Sequence, residues 1–207
     1  GYPFNYYLPE NICYSCGDTD DGDVCDGDGG HVWAGAPAIA IAQIMNYYKF
    51  PETGRDSTDI LMDIVNNARW GVNFENSYLD YDGLDWDSYS GENIASGEAF
   101  QNAPYLIYHV SIASHVDYGC NEWFTYGGDN DNMMYALSHH FYYDTPWWGD
   151  IGAMQQQGDF PDILINELDN GRPIFYKGQV ELVEGTEDET NFWIVDGYHD
   201  INSTVTF

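Results

Sequence analysis

An α+β fold with a buried central helix follows from three observations on this 207-residue chain. The first is the stretch 35–51, GAPAIAIAQIMNYYKFP. It is apolar on nearly every side (Ala38, Ile39, Ile41, Ala42, Ile44, Met45, Tyr48), which places the helix inside the protein rather than on its surface. The second is 160–179, FPDILINELDNGRPIFYKGQ, which reads as a helix, a turn and a strand. The third is bulk: 17% aromatic residues in a chain of this length fill one good core. No internal repeat, linker or second domain interrupts the sequence, so residues 1–207 read as a single domain.

The elements follow in order. Helix 36–49 has Pro37 in its first turn, where a missing N–H costs nothing, and Pro51 closes the segment. After it, TDILMDIVNNARWGVNF begins as an amphipathic helix, with Ile60, Leu61, Ile64 and Val65 on one face. MMYALSHHFYYD (133–144) is expected to be a further helix whose stripe of Met134, Leu137 and Phe141 faces the core. Asn170 and Gly171 supply the C-cap and turn of the next helix, and Ile174, Phe175 and Tyr176 begin a sheet.

Charge excludes whole classes of partner. Five basic residues against 35 acidic ones give a formal net charge of -30. Little is left to neutralise phosphates, so neither nucleic acid nor an anionic membrane is an expected partner. The surplus suits solubility in a salty or calcium-containing medium. No apolar run approaches the roughly 18 residues of a membrane span, so no membrane insertion is expected.

Four cysteines, Cys13, Cys16, Cys25 and Cys120, are expected to form disulfides in a secreted, extracellular protein, and their spacing leaves all three connectivities open. A zinc site from Cys13, Cys16, Cys25 and His31 is the alternative, although its second half lacks the usual spacing. Residues 17–30, GDTDDGDVCDGDGG, form an acidic, glycine-rich loop leading to the helix. Asp18, Asp20, Asp23, Asp26 and Asp28 offer hard oxygen ligands for calcium, outside any EF-hand register; the plain alternative is a solvated loop.

These segments resemble a known family. GAPAIAIAQIMNYYKFP is similar to the nucleophile helix of the streptopain-type cysteine peptidases (the C10, papain-like family), G-C-V-A-T-A-x-A-Q-I-M-x-Y-H/Y-x-x-P. In that pattern the catalytic cysteine is the second residue; here it is Ala36. The opening GYPFNYYLPE resembles the family's G-x-P-Y/F-N-x-x-x-P, which implies that the oxyanion-hole glutamine precedes Gly1. SYLDYDGLDWDSY resembles the family's Y-D-W region loosely. EAFQNAPYLIYHVSIASHVDYG (98–119) is similar to a helix that runs into a loop beside the active site, and its His109 and His115 read as packed or loop histidines rather than catalysts. The segment 160–179 is similar to W-x-x-x-I-x-x-E-L-x-x-G-R/Q-P-V-Y/I-Y-x-G, and TNFWIVDGYHD to G-H-A/S-F/W-V-I/V/C-D-G-Y. In the latter the histidine is the general base, and its position falls on Asn191. An N-W-G-W segment would follow near Phe207, so the chain reads as cut at a motif at both ends.

The resemblance implies a papain-like fold, with a helical side led by 36–49, an antiparallel sheet side containing 173–178 and 191–196, and a cleft between them. Gly35, Tyr118, Gly119 and Trp193 are then the cleft candidates, and no cofactor is required beyond the calcium that the loop invites. The chemistry is incomplete. A cysteine peptidase needs a thiolate held at a helix N-terminus beside an imidazolium. Ala36 has no nucleophile, and Asn191 cannot take and return a proton near neutral pH. In a serine hydrolase, losing either partner alone costs about 10⁶ in turnover. None of the four cysteines substitutes by motif, and His199 lies past a Gly-Tyr turn.

The expected function is therefore a secreted, catalytically inactive relative that serves as a binding or extracellular assembly module. Its partner would be a protein, a glycan or further copies of itself. The wealth of Tyr and Trp suits such contacts, and Asn202 begins a glycosylation sequon. The alternative is an active secreted endopeptidase, which requires a cysteine at position 36 and a histidine at position 191.

Overall fold

The computed structural model describes residues 35–63, 68–81, 99–115, 130–144, 160–180, 189–201 and 204–206. The chain divides into two compact units, Gly1–Pro146 and Trp147–Phe207. Cys13, Cys16, Cys25 and Cys120, the acidic loop with the calcium candidates Asp18, Asp20, Asp23, Asp26 and Asp28, Tyr118, Gly119 and Asn202 all lie outside the described residues.

The first unit is built on α1 (Ala36–Tyr48), which buries Pro37, Ala38, Ala40, Ile41, Ala42, Ile44 and Met45. Small alanines let a second helix approach closely while Ile41 and Met45 supply the volume. That partner is α2 (Ala99–Ala113), which packs on α1 and buries Leu106, Ile107, Val110 and Ile112. Lys49 ends α1 in the left-handed region (φ 47°), donating its N–H to Asn46 O at 3.2 Å, and Phe50 N–H reaches Met45 O at 3.3 Å.

The region expected to begin as an amphipathic helix is instead a ladder. Residues Ser57–Asp63 form β1 and Ala68–Asn73 form β2, paired antiparallel from Ser57 opposite Asn73 to Asp63 opposite Ala68. Ile60 and Leu61 fit a helical face equally well. The ladder wins because β1 finds backbone partners in β2, a pairing that local periodicity does not register. A 3₁₀ turn, Phe74–Asn76, follows; Asn73 Oδ1 accepts the Asn76 N–H at 3.2 Å.

The expected helix over 133–144 is shorter and differently wound. It starts as α3 (Asn130–Tyr135) and continues as a π turn, Ala136–His140, which Phe141 closes by donating its N–H to Ala136 O at 3.2 Å. Leu137 and Phe141 are buried as expected, with Met133 rather than Met134 beside them and His140 among them. The wider turn leaves carbonyls to be satisfied from outside the helix.

They are satisfied by a strap, residues 50–56, that leaves α1 and is hydrogen-bonded nearly residue by residue. Tyr143 and Tyr81 hydroxyls donate to Phe50 O and Pro51 O, each at 2.9 Å. Leu79 N–H donates to Glu52 O at 2.7 Å, and Thr53 bridges Tyr78. Gly54 N–H donates to Phe74 O at 3.0 Å, and Phe74 N–H to Asp56 O at 2.9 Å. A Cβ at Gly54 would stand 2.6 Å from Phe74 Cβ and 2.9 Å from His140 O, so the chain passes there only without a side chain.

In the second unit, α4 (Phe160–Asp169) ends where Asn170 and Gly171 predict. Gly171 is left-handed (φ 68°), its N–H donates to Leu168 O at 2.9 Å, and Arg172 N–H donates to Glu167 O at 3.0 Å. This is a Schellman ending, which needs a residue without a Cβ penalty at that position. Then β3 (Ile174–Val180) pairs antiparallel with β4 (Glu189–Val195), each longer at one end than expected, and β5 (His199–Ile201) pairs with β6 (Thr204–Thr206).

Candidate active site

Position 36 opens α1. Gly35 is its buried N-cap, in extended conformation (φ -57°, ψ 144°), and accepts the Ile39 N–H at 3.2 Å. Among the described residues no side chain caps this end, and no acidic residue stands in the first turn. The first-turn amides and the positive end of the helix dipole therefore act on whatever stands at 36, an environment that lowers a thiol's pKa. Ala36 is exposed although Pro37 and Ala38 beside it are buried. The place is right for a nucleophile; the methyl has no proton to give and no pair to donate.

Position 191 belongs to the second unit. Asn191 lies within β4 opposite Gly178 of β3. The indole of Trp193 lies over Gly178, where a Cβ would collide with its Cη2, and rests against Tyr176 with ring centroids 4.6 Å apart. Trp193 is nonetheless 42% exposed. The other rings of the ladder are Phe175 and Phe192, 5.6 Å apart, with Lys177 Nζ 5.6 Å from the Phe192 ring. Phe192 stands where the family pattern has Ala or Ser. The exposed His199 begins β5, a different ladder from the one that holds Asn191.

The other histidines settle into structural places. His109 is 1% exposed, its ring 4.2 Å from that of Tyr105 and its Nδ1–H donating to Tyr105 O at 2.8 Å. Burial pushes its pKa down to about 4, so it is neutral at neutral pH, and its Nε2 has no partner among the described residues. His115 sits exposed just past α2 in the left-handed region (φ 54°). The reading of these two as packed and loop residues holds.

A cluster around the π turn is invisible to local pattern. Arg55 donates Nε–H to His139 O at 2.7 Å, Nη2–H to Ser138 O at 3.1 Å and its backbone N–H to His140 O at 2.8 Å. Its guanidinium lies 5.3 Å from the centre of the Tyr142 ring. His139 stacks on Tyr135 at 4.6 Å and places Nε2 3.4 Å from Asp56 Oδ2. His140, 3% exposed, donates Nδ1–H to Arg55 O at 3.2 Å and lies 4.6 Å from the Phe74 ring. The partners are some 85 residues apart in the chain, and the only local sign is the His-His pair. Among the described residues no group of three or more His, Cys, Asp or Glu is arranged to hold a metal ion, and no helix is long and apolar enough to cross a membrane.

A buried helix with an open first turn, followed along the chain by antiparallel ladders, defines the class: an α+β protein of the papain-like cysteine-peptidase fold. The chain belongs to the peptidase C10 family, whose profile matches residues 1–207. Two solved structures similar to it are of interpain A from Prevotella intermedia. A prointerpain A fragment carrying a cysteine-to-alanine substitution superposes with a TM-score of 0.69 at 24% identity, covering 96% of this chain and 55% of that one. The active wild-type interpain A cysteine protease superposes with a TM-score of 0.65 at 24% identity, covering 96% and 72%. This chain thus spans little more than half the length of the first of these. No curated protein matches it.

Proposed function

We propose that this C10-family protein is a secreted module that binds or assembles without cleaving peptides. The observation that carries the reading is Ala36, an exposed methyl at the N-terminal end of a helix whose apolar middle is buried, where the family's chemistry requires a thiolate. Asn191 at the base position supports it, since an amide does not shuttle protons near neutral pH. The partner is a protein, a glycan or a second copy of the chain, contacted through exposed aromatic side chains such as Trp193.

Two experiments test this. Mass spectrometry of the native protein over residues 31–50 and 185–200 is expected to return alanine at 36 and asparagine at 191; a cysteine and a histidine there would instead make it an active endopeptidase. Incubation of the protein with an unfolded protein substrate is expected to give no cleavage, with or without a thiol-reactive inhibitor. Inhibitor-sensitive cleavage would overturn the proposal.

A further inference from the structure

The strap meets the π turn at a junction crowded with titratable groups. Every carbonyl of Ser138, His139 and His140 is taken by Arg55, and His140 returns a hydrogen bond to Arg55 O. Arg55 is therefore held at four points, and with it the bend that fixes Phe74 through Gly54 and Asp56. The left-handed backbone of Asp56 (φ 63°) and Tyr142 (φ 59°) on either side shows how much conformation this junction imposes on side chains that disfavour it.

We infer that the junction of strap and π turn is an acid-sensitive latch, closed while the His140 imidazole is neutral and opened when it takes up a proton. The neutral ring donates Nδ1–H to Arg55 O and sets its face near the Phe74 ring, at a site where His140 is 3% exposed. A proton on that ring creates a buried cation. Among the described residues, the groups facing it are Arg55 and Asp56 from the strap, His139 and Tyr135 from its own helical segment, and His115 from the end of α2. Asp56 is the one carboxylate among them, and His139 already leans on it at 3.4 Å. Burial, with His139 and His115, outweighs the help from Arg55 O and Asp56, and holds His140 below the usual histidine range. Once charged, the imidazolium is better solvated outside, and its departure removes the packing under His140 O, which holds Arg55 N–H. What is released is the exit of α1, the segment that ties the helix bearing position 36 to β1.

Amide hydrogen exchange on the intact protein, corrected for intrinsic rates, tests the latch. Protection of the Gly54, Arg55 and Phe74 amides is expected to fall at least about tenfold between pH 7.5 and 5. His140→Gln, whose amide can still donate to Arg55 O and carries no charge, is expected to flatten that response; His109→Gln is expected to leave it intact. Protection that does not change with pH in the unaltered protein overturns the inference. So does a response that survives His140→Gln or vanishes in His109→Gln. Should His140→Gln fail to fold, the imidazole titration of His140 by NMR in the unaltered protein decides. A midpoint that coincides with loss of Arg55 protection supports the latch, and one that does not overturns it.

Discussion

The two units are held together by different physics. In the first, α1 and α2 bury aliphatic side chains on most of their circumference, with Phe74, Phe141 and Met133 closing the core. In the second, Leu164 and Val195 are the buried apolar residues among those described. There, order comes from local devices: the Schellman ending of α4, the Glu167–Arg172 ion pair, the Tyr198 hydroxyl donating to Asp169 at 2.9 Å, and two pairs of rings on the β3–β4 ladder. Burial of a large side chain contributes roughly 1.5–3 kcal/mol, whereas an exposed ion pair contributes about 0–1 kcal/mol. The first unit should therefore fail through single core residues, and the second should yield in small steps.

The sharpest way to break this contrast is Phe74→Ala. Phe74 is fully buried against His140, Phe141 and His109, with ring centroids at 4.6, 5.6 and 6.0 Å. Its loss is expected to cost about 3–5 kcal/mol, read as a lowered denaturant midpoint of the first unit. A cost below about 1 kcal/mol would mean that this core is not the jigsaw described.

Acid comes next. His109 titrates near 4 in the fold and near 6.5 when unfolded, so the folded state favours the neutral ring. Its contribution is complete above about pH 6.5 and is lost as pH falls towards 4, because only the unfolded chain takes up the proton in that window. The loss approaches about 3 kcal/mol and should shrink in His109→Gln, measured by urea unfolding across that range.

Smaller effects belong to the second unit. Gly171→Ala puts a Cβ on left-handed backbone and is expected to cost about 1–2 kcal/mol, seen as fraying of the C-terminal turn of α4 in exchange. Arg172→Gln should cost under about 1 kcal/mol and disappear in high salt. The hydrogen bond from Arg172 is the main cause of the lowered Glu167 pKa, so the carboxylate should titrate higher in the variant. The small stability that the pair contributes is present above the ordinary glutamate pKa and fades as pH falls through the lowered one.

What could be read from the sequence divides along the same line. The helix at 36–48 and the helix–turn–strand at 160–180 were legible because their signals are local: an apolar run after a proline, and an Asn-Gly pair that demands a left-handed turn. The ladder at 57–73 was not. Ile60 and Leu61 satisfy helix and strand alike, and the strand's hydrogen bonds come from residues beyond the window. The π turn was hidden for the same reason, since Met134, Leu137 and Phe141 match a plain helix while the carbonyls of 138–140 are claimed by an arginine more than 80 residues earlier. Of the site, positions 36 and 191 were assigned through resemblance alone, and the packed character of His109 followed from weighing it against catalysis. The Arg55–His140 junction had no signal that one strand of text carries.

The outward-facing methyl of Ala36 also bears on how such a scaffold changes over generations. Ala36 is exposed while Pro37 and Ala38 beside it are buried, so the side chain at 36 adds little to the burial that holds α1. Selection on reactivity and selection on architecture therefore act on separate residues there. A change at such a position alters reactivity and leaves the core as it is.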